Sequence, residues 1–358
     1  MKQSALVIAL LGASLGSAWA QSSAPTVYGV IDAGVVSERG CANGCTTRID
    51  GGVASESRVG LRGSEQLGDG LSAIYTLEAG VQPDTGRSGP DGRLLRQAFV
   101  GLKGKAGTVT VGRQDNLEYV ALTDVGDPFK GGTAGSASNL IGSSGRRDDN
   151  SIHYYSNEVH GLSAAASYGV GEMVGDPSGN RAWGVSVGFA NGPLTLRAAH
   201  QNRYMVKIAP ATAMGNNLDA KNSVIAANLR VGVATAYAAY SVSRGAGSSP
   251  LWNPDNPYSA AIASVPSTDS RDVLVGLAVP VGPTTFLASF IRKNDRDRAN
   301  LDANQLAVGA SYAMSRRTDF YAAYSRITNR NGAAYTVGNA SARGSGSSAL
   351  NVGMRHAF

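Results

Sequence analysis

SRVGLRGSEQLGDGLSAIYTLEAG, residues 57–80, is two strands written end to end. Val59 and Leu61 alternate with Arg58, Gly60 and Arg62; after a short polar connection at 65–68, Leu71, Ala73, Tyr75 and Leu77 resume the same period of two. Successive side chains of an extended chain point to opposite faces, so each strand carries one apolar face and one face that accepts small or charged residues. The connection is hairpin-sized, and the two strands are expected to pair antiparallel.

The same alternation runs from residue 25 to the last residue, with almost no sustained stretch of helical period. It predicts sixteen strands, at 25–37, 54–64, 69–82, 93–103, 107–114, 149–158, 162–171, 181–191, 193–204, 221–230, 232–244, 271–280, 282–293, 303–314, 316–328 and 347–358. Connections alternate strictly in length. Short ones fall at 65–68, 104–106, 159–161, 192, 231, 281 and 315, and long polar ones at 38–53, 83–92, 115–148, 172–180, 205–220, 245–270, 294–302 and 329–346. A soluble sandwich has no reason to keep that asymmetry, whereas a transmembrane β-barrel has short periplasmic turns and long outer loops. In lipid every backbone group must be paired internally, so the sheet must close. The expected fold is all-β: one 16-stranded antiparallel transmembrane β-barrel with both termini on the periplasmic side.

Composition closes off the other classes. Charged residues are 16% of the 358, against roughly 25% in soluble domains, as expected when about half of the strand positions face lipid. No uninterrupted apolar run reaches the roughly 18 residues of a spanning helix. The mean hydropathy of −0.11 suits strands whose lumen side is polar. The formal charge of +6 is spread along the chain without a basic stripe, which argues against nucleic acid. Gly169-Val170-Gly171 closes a strand and opens no helix, so it is no nucleotide loop, and no cofactor is expected.

The amino terminus is an address. Lys2 precedes the apolar stretch 5–15, and Ala18-Trp19-Ala20 is the small-x-small pattern a signal peptidase reads. Residues 1–20 are expected to be a signal peptide and 21–358 the barrel. Export to an oxidising compartment makes a loop disulfide the expected state of Cys41 and Cys45, since a CxxxC pair with no second Cys or His pair nearby is incomplete for zinc.

TVYGVIDAGV at 26–35, the stretch 57–80, RQAFVGLKGKAGTVTVGRQ at 96–114, DNSIHYYSNEVHGLSAAASYG at 149–169 and the terminal LNVGMRHAF at 350–358 stand in order along the mature chain. Together they resemble the trimeric general porins of Gram-negative outer membranes, especially the β-proteobacterial type. The resemblance implies a homotrimer in outer-membrane lipid and lipopolysaccharide. It also implies passive passage of ions and small hydrophilic solutes, and a terminal Phe358 read by the barrel-insertion machinery. Finally, it implies that the third loop, 115–148, folds into the barrel, and that Arg58, Arg96 and Arg147 form a ladder of arginines opposite.

Residue parity supports part of that picture. Arg58 and Arg62 lie opposite Val59 and Leu61, and Arg147 lies on the side of Ser151 and His153, opposite Ile152 and Tyr154, so all three are expected to face the lumen. Arg197 and Arg355 share the polar parity of their strands, whereas parity leaves both faces open to Arg96. The loop contributes Asp115, Glu118, Asp124 and Asp127 beside Pro128-Phe129 and the tract GGTAGSASNLIGSSG. Guanidiniums facing loop carboxylates give a transverse field, and anion preference is the expectation. The competing reading of each arginine is a solvated loop or a lipopolysaccharide phosphate contact.

The alternative function is an outer-membrane adhesin or enzyme barrel without an open pore. His153, His160, His200 and His356 sit in separate strands or turns without a catalytic motif, which speaks against an enzyme. An adhesin would rely on outer loops such as 245–270, with Pro250, Pro254, Pro257 and Pro266. Asp295 and Asp297 lack EF-hand spacing, so no metal is expected.

Overall fold

The computed structural model describes residues 24–41, 44–89, 95–175, 178–204, 219–250, 267–338 and 346–358. The expected signal peptide and three of the four prolines of the 245–270 loop lie outside them. Sixteen long strands form the wall: Thr26–Arg39, Arg58–Gly68, Leu71–Gln82, Leu95–Gly104, Gly107–Asp115, Arg147–Tyr155, Leu162–Gly169, Ala182–Asn191, Leu194–Arg203, Ala220–Val231, Ala234–Arg244, Asp269–Val281, Thr284–Asp295, Ala303–Ala313, Thr318–Asn329 and Ser348–Ala357. Each pairs antiparallel with its neighbours in sequence. The last strand pairs with the first, from Val30 opposite Ala357 to Arg39 opposite Ser348, and this closure leaves none of the sixteen described strands as an open edge toward lipid.

Two short strands add to these. Arg87–Ser88 extends a hairpin at the long-loop end, and Thr47–Gly51 pairs with the outer half of the first strand. The strand expected at 54–64 instead begins at Arg58. Asp32, in the first strand, turns its carboxylate into the lumen and accepts the backbone N–H groups of Val53, Ala54 and Ser55 at 2.9–3.1 Å. The Ser57 hydroxyl donates to the Asp32 carbonyl at 3.0 Å. With those donors taken by a side chain, residues 52–57 make an inward bend.

The first turn also shifts, from 65–68 to Asp69-Gly70, where φ is +50° and +79°. Both central residues are left-handed, as a type I′ hairpin requires, and Asp-Gly is the pair that supplies this at least cost.

The alternation sorts the faces. Ile152, Val275 and Leu306 are half exposed on the outside, while the adjacent His153, Leu274 and Gln305 are fully buried on the lumen side. The apolar core therefore lies inside the barrel, under one loop: Leu122, Val125, Leu140 and Ile141 pack against Ala199, Val224, Leu274 and Ile291 of the wall. At the long-loop end Cys41 and Cys45 are disulfide-bonded, as expected.

Candidate functional site

The chain leaves Gly107–Asp115 and turns inward. Asn116 caps the short helix Leu117–Val120, its Oδ1 accepting the N–H groups of Glu118 at 2.8 Å and Tyr119 at 3.3 Å. A wider helical turn follows at Ala121–Gly126. The loop then runs along the inner wall. Phe129 packs on Ala307, Ala323 and Leu287, and Asn139 donates to Gln305 Oε1 at 2.9 Å. The N–H of Thr133 reaches the carbonyl of Val53 at 2.7 Å, so the loop also touches the bend at 52–57. Glycine is needed at that contact, because a Cβ on Gly132 would stand 2.0 Å from the Ala54 carbonyl oxygen.

At the two ends of this loop lies a cationic cluster. Arg96 donates from Nε to Glu56 Oε2 at 2.6 Å and from Nη1 to Glu78 Oε2 at 3.0 Å. Arg147 donates from Nη2 to the same Glu56 oxygen at 2.6 Å and from Nε to Asp115 Oδ1 at 3.0 Å. Arg146 holds Glu56 Oε1, and its guanidinium lies 5.8 Å from the Tyr119 ring centre. Arg58 donates to the Glu56 carbonyl at 3.0 Å and stands 3.5 Å from Glu78, while Arg113 pairs with Asp149. Burial pushes the Glu56 carboxyl up, but Arg147, Arg96 and Arg146 outweigh it and hold the group well below the usual carboxylate range. Removing one partner from such a buried set costs about 3–5 kcal/mol.

The bulge between Glu78 and Ala79 settles the face of Arg96. Glu78 pairs with Gln97 and Ala79 with Leu95, so Arg96 is the extra residue and its side chain meets lumen carboxylates. Arg62 stands apart from the cluster, exposed, its guanidinium 5.0 Å from the Tyr28 ring centre. Arg197 lines a 480 Å³ cavity with Gln97, Phe99, Asp115, Leu117 and Asp124, between the start of the loop and the wall. Arg355 pairs with Asp319 at 3.0 Å.

The loop carboxylates divide. Asp115 meets Arg147, and Asp124 is exposed on the cavity. Asp127, expected to face the wall, is instead fully buried within its own loop and accepts the N–H groups of Phe129, Gly131 and Ala137, each at 2.9 Å. Glu118 is likewise fully buried, beside Ser143 and Asp148. Glu56, Glu78, Arg113, Arg146 and Asp149 are the site residues that sequence reasoning missed. The available signals were an acidic residue two places before Arg58, and Asp32, a carboxylate inside an otherwise apolar strand.

A closed barrel of sixteen antiparallel strands, with a long loop folded inside against a charged wall, is the architecture of an outer-membrane porin. The chain belongs to the Gram-negative porin family, whose profile matches residues 5–332, and its place is the outer membrane. It is 28% identical over its full length to an outer membrane porin protein of Bordetella pertussis and 28% identical to outer membrane porin protein 32 of Delftia acidovorans, covering all of both. The fold is also that of an anion-selective porin from Comamonas acidovorans, with a TM-score of 0.75 at 24% identity over 94% of this chain and 100% of that one. OmpT of Vibrio cholerae in its trimer form superposes with a TM-score of 0.66 at 17% identity over 94% of this chain and 100% of that one.

Proposed function

We propose that this porin is a general diffusion channel for ions and small hydrophilic solutes, with an anion preference. The loop at 116–146 narrows the lumen, and the solute moves down its own gradient with no covalent step. The observation that carries this reading is the cluster of Arg58, Arg96, Arg113, Arg146 and Arg147, gathered where the inward loop leaves and rejoins the wall. Among the described residues these five arginines pair with four carboxylates, Glu56, Glu78, Asp115 and Asp149, a set with one more cation than anion. A small excess charge in a low-dielectric passage attracts anions yet lets them leave, as conduction requires. The relation to a porin described as anion-selective points the same way.

The mature unit is the barrel 21–358 after loss of 1–20. It works as a homotrimer in lipid and lipopolysaccharide after insertion by machinery that reads Phe358. That last residue closes the seam, exchanging backbone hydrogen bonds of 3.1 Å with Gly29.

Reversal potentials in a potassium chloride gradient test the reading. Wild type is expected to favour chloride, and Arg58→Glu to lose most of that preference. A cation-selective wild type, or an unchanged Arg58→Glu, overturns the anion assignment; a protein with no open-channel steps overturns the diffusion channel.

A further inference from the structure

We propose that the Glu56 carboxylate is a built-in occupant of an oxyanion cage in the channel wall, and that it withholds this cage from permeating phosphate-like and carboxylate solutes. The cage is formed by Arg96, Arg146 and Arg147, whose guanidiniums converge on the two Glu56 oxygens. Planar, multidentate donation of this kind is how arginine recognises carboxylate and phosphate, and nothing in the arrangement distinguishes a side-chain carboxylate from a solute of similar shape. Arg96 and Arg147 each have a second carboxylate, in Glu78 and Asp115, so removing Glu56 would leave the cage formed but one negative charge short.

Glu56 reaches the cage from the bend at 52–57, and that bend is held in advance. Asp32 accepts three of its backbone N–H groups, the Ser57 hydroxyl bonds the Asp32 carbonyl, and Arg58 holds the Glu56 carbonyl. A carboxylate on so short a tether acts at an effective concentration of millimolar or more. A free oxyanion must displace it to bind, whereas chloride can pass the wall without entering the cage. Glu56 thus keeps the arginine cluster from becoming a trap: ions are attracted but none is retained.

The inference rests on the diffusion reading, and the test separates the two. Single-channel chloride currents are recorded for the full-length protein and for Glu56→Gln, with inorganic phosphate added as the probe. Wild type is expected to be insensitive to phosphate at about 10 mM, while Glu56→Gln is blocked with a half-blocking concentration at least tenfold lower than that of wild type. Adding Arg146→Gln to the variant is expected to relieve the block. Equal phosphate sensitivity of wild type and Glu56→Gln, or a block unchanged by Arg146→Gln, overturns the inference. Should Glu56→Gln fail to insert, Glu56→Asp carries the test: it keeps the charge but withdraws it from the cage by one methylene. Phosphate sensitivity equal to that of wild type overturns the inference there too. A cation-selective wild type would count against the anion preference and leave this comparison to stand by itself.

Discussion

The Tyr321 hydroxyl donates to Asp32 Oδ1 at 2.7 Å, joining the next-to-last strand to the first across the seam where the barrel closes. The same Asp32 holds the N–H groups of Val53, Ala54 and Ser55, so the seam and the bend that carries Glu56 share one anchor. Tyr321→Phe removes one buried hydrogen bond to a charged acceptor and is expected to cost about 1.5–3 kcal/mol. Asp32→Ala is expected to cost more, because it strands three backbone donors and releases Glu56 from the arginines. The temperature at which the folded band converts to the unfolded band on semi-native gels ranks the three proteins. A Tyr321→Phe protein that converts with wild type would mean the contact contributes nothing.

Asp124 and Asp127 lie three residues apart in one loop and are expected to behave differently. Asp124 is exposed on the lumen cavity, so Asp124→Asn should shift the reversal potential further toward chloride with little change in folding. Asp127 accepts three backbone N–H groups inside the loop, so Asp127→Ala should loosen the loop and give noisier, larger conductance steps with little change in ion preference. Single-channel recordings with a reversal-potential measurement separate the pair, and a selectivity change from Asp127→Ala equal to that from Asp124→Asn would remove the distinction.

That pair marks the limit of what the sequence discloses. Strand parity is a property of the backbone, so the alternation of Val59, Leu61 and Arg58 was enough to find sixteen strands and to turn Arg58 inward. It could not orient Arg96, because the bulge opposite Ala79 interrupts the period at that residue. It could not find Glu56 either, because the bend depends on side-chain acceptance by Asp32, some twenty residues earlier in the chain. In a loop no period exists at all. The carboxylate of Asp127 is aimed by the turn that follows it, and only the folded turn reveals that it points back into the loop.

The two faces of a strand predict opposite costs for the same substitution. Val275 is half exposed on the outer face near the middle of its strand, beside Ala238 and Phe290 on the flanking strands. Val275→Arg should therefore cost about 2–4 kcal/mol in lipid. Ser186 lines the lumen cavity, so Ser186→Arg should fold nearly normally and instead reduce conductance. Refolding into liposomes across a urea series gives the stabilities. Equal losses for both variants would contradict the assignment of faces.

Glu118 gives the barrel a pH dependence whose sign follows from its surroundings. Its side chain is fully buried at the start of the inward loop, and burial pushes its carboxyl up to about 8, with the neighbouring Ser143 opposing and the charge of Asp148 adding to the rise. In the unfolded chain the group ionises near its ordinary value of 4.5. Below that pH the group is protonated in both states and has no pH-dependent effect. As pH climbs from 4.5 to about 8 the unfolded chain has lost a proton that the folded one still keeps, so stability falls across this window and levels off above it. Glu118→Gln keeps the neutral shape and removes the titration. It is expected to match wild type at pH 4 and to exceed it at pH 9 by about 1–3 kcal/mol, the usual penalty for a buried polar group left unsatisfied. Urea midpoints of both proteins at the two pH values measure this, and a gap between them that does not widen with pH would mean that Glu118 ionises at its ordinary value beneath the loop.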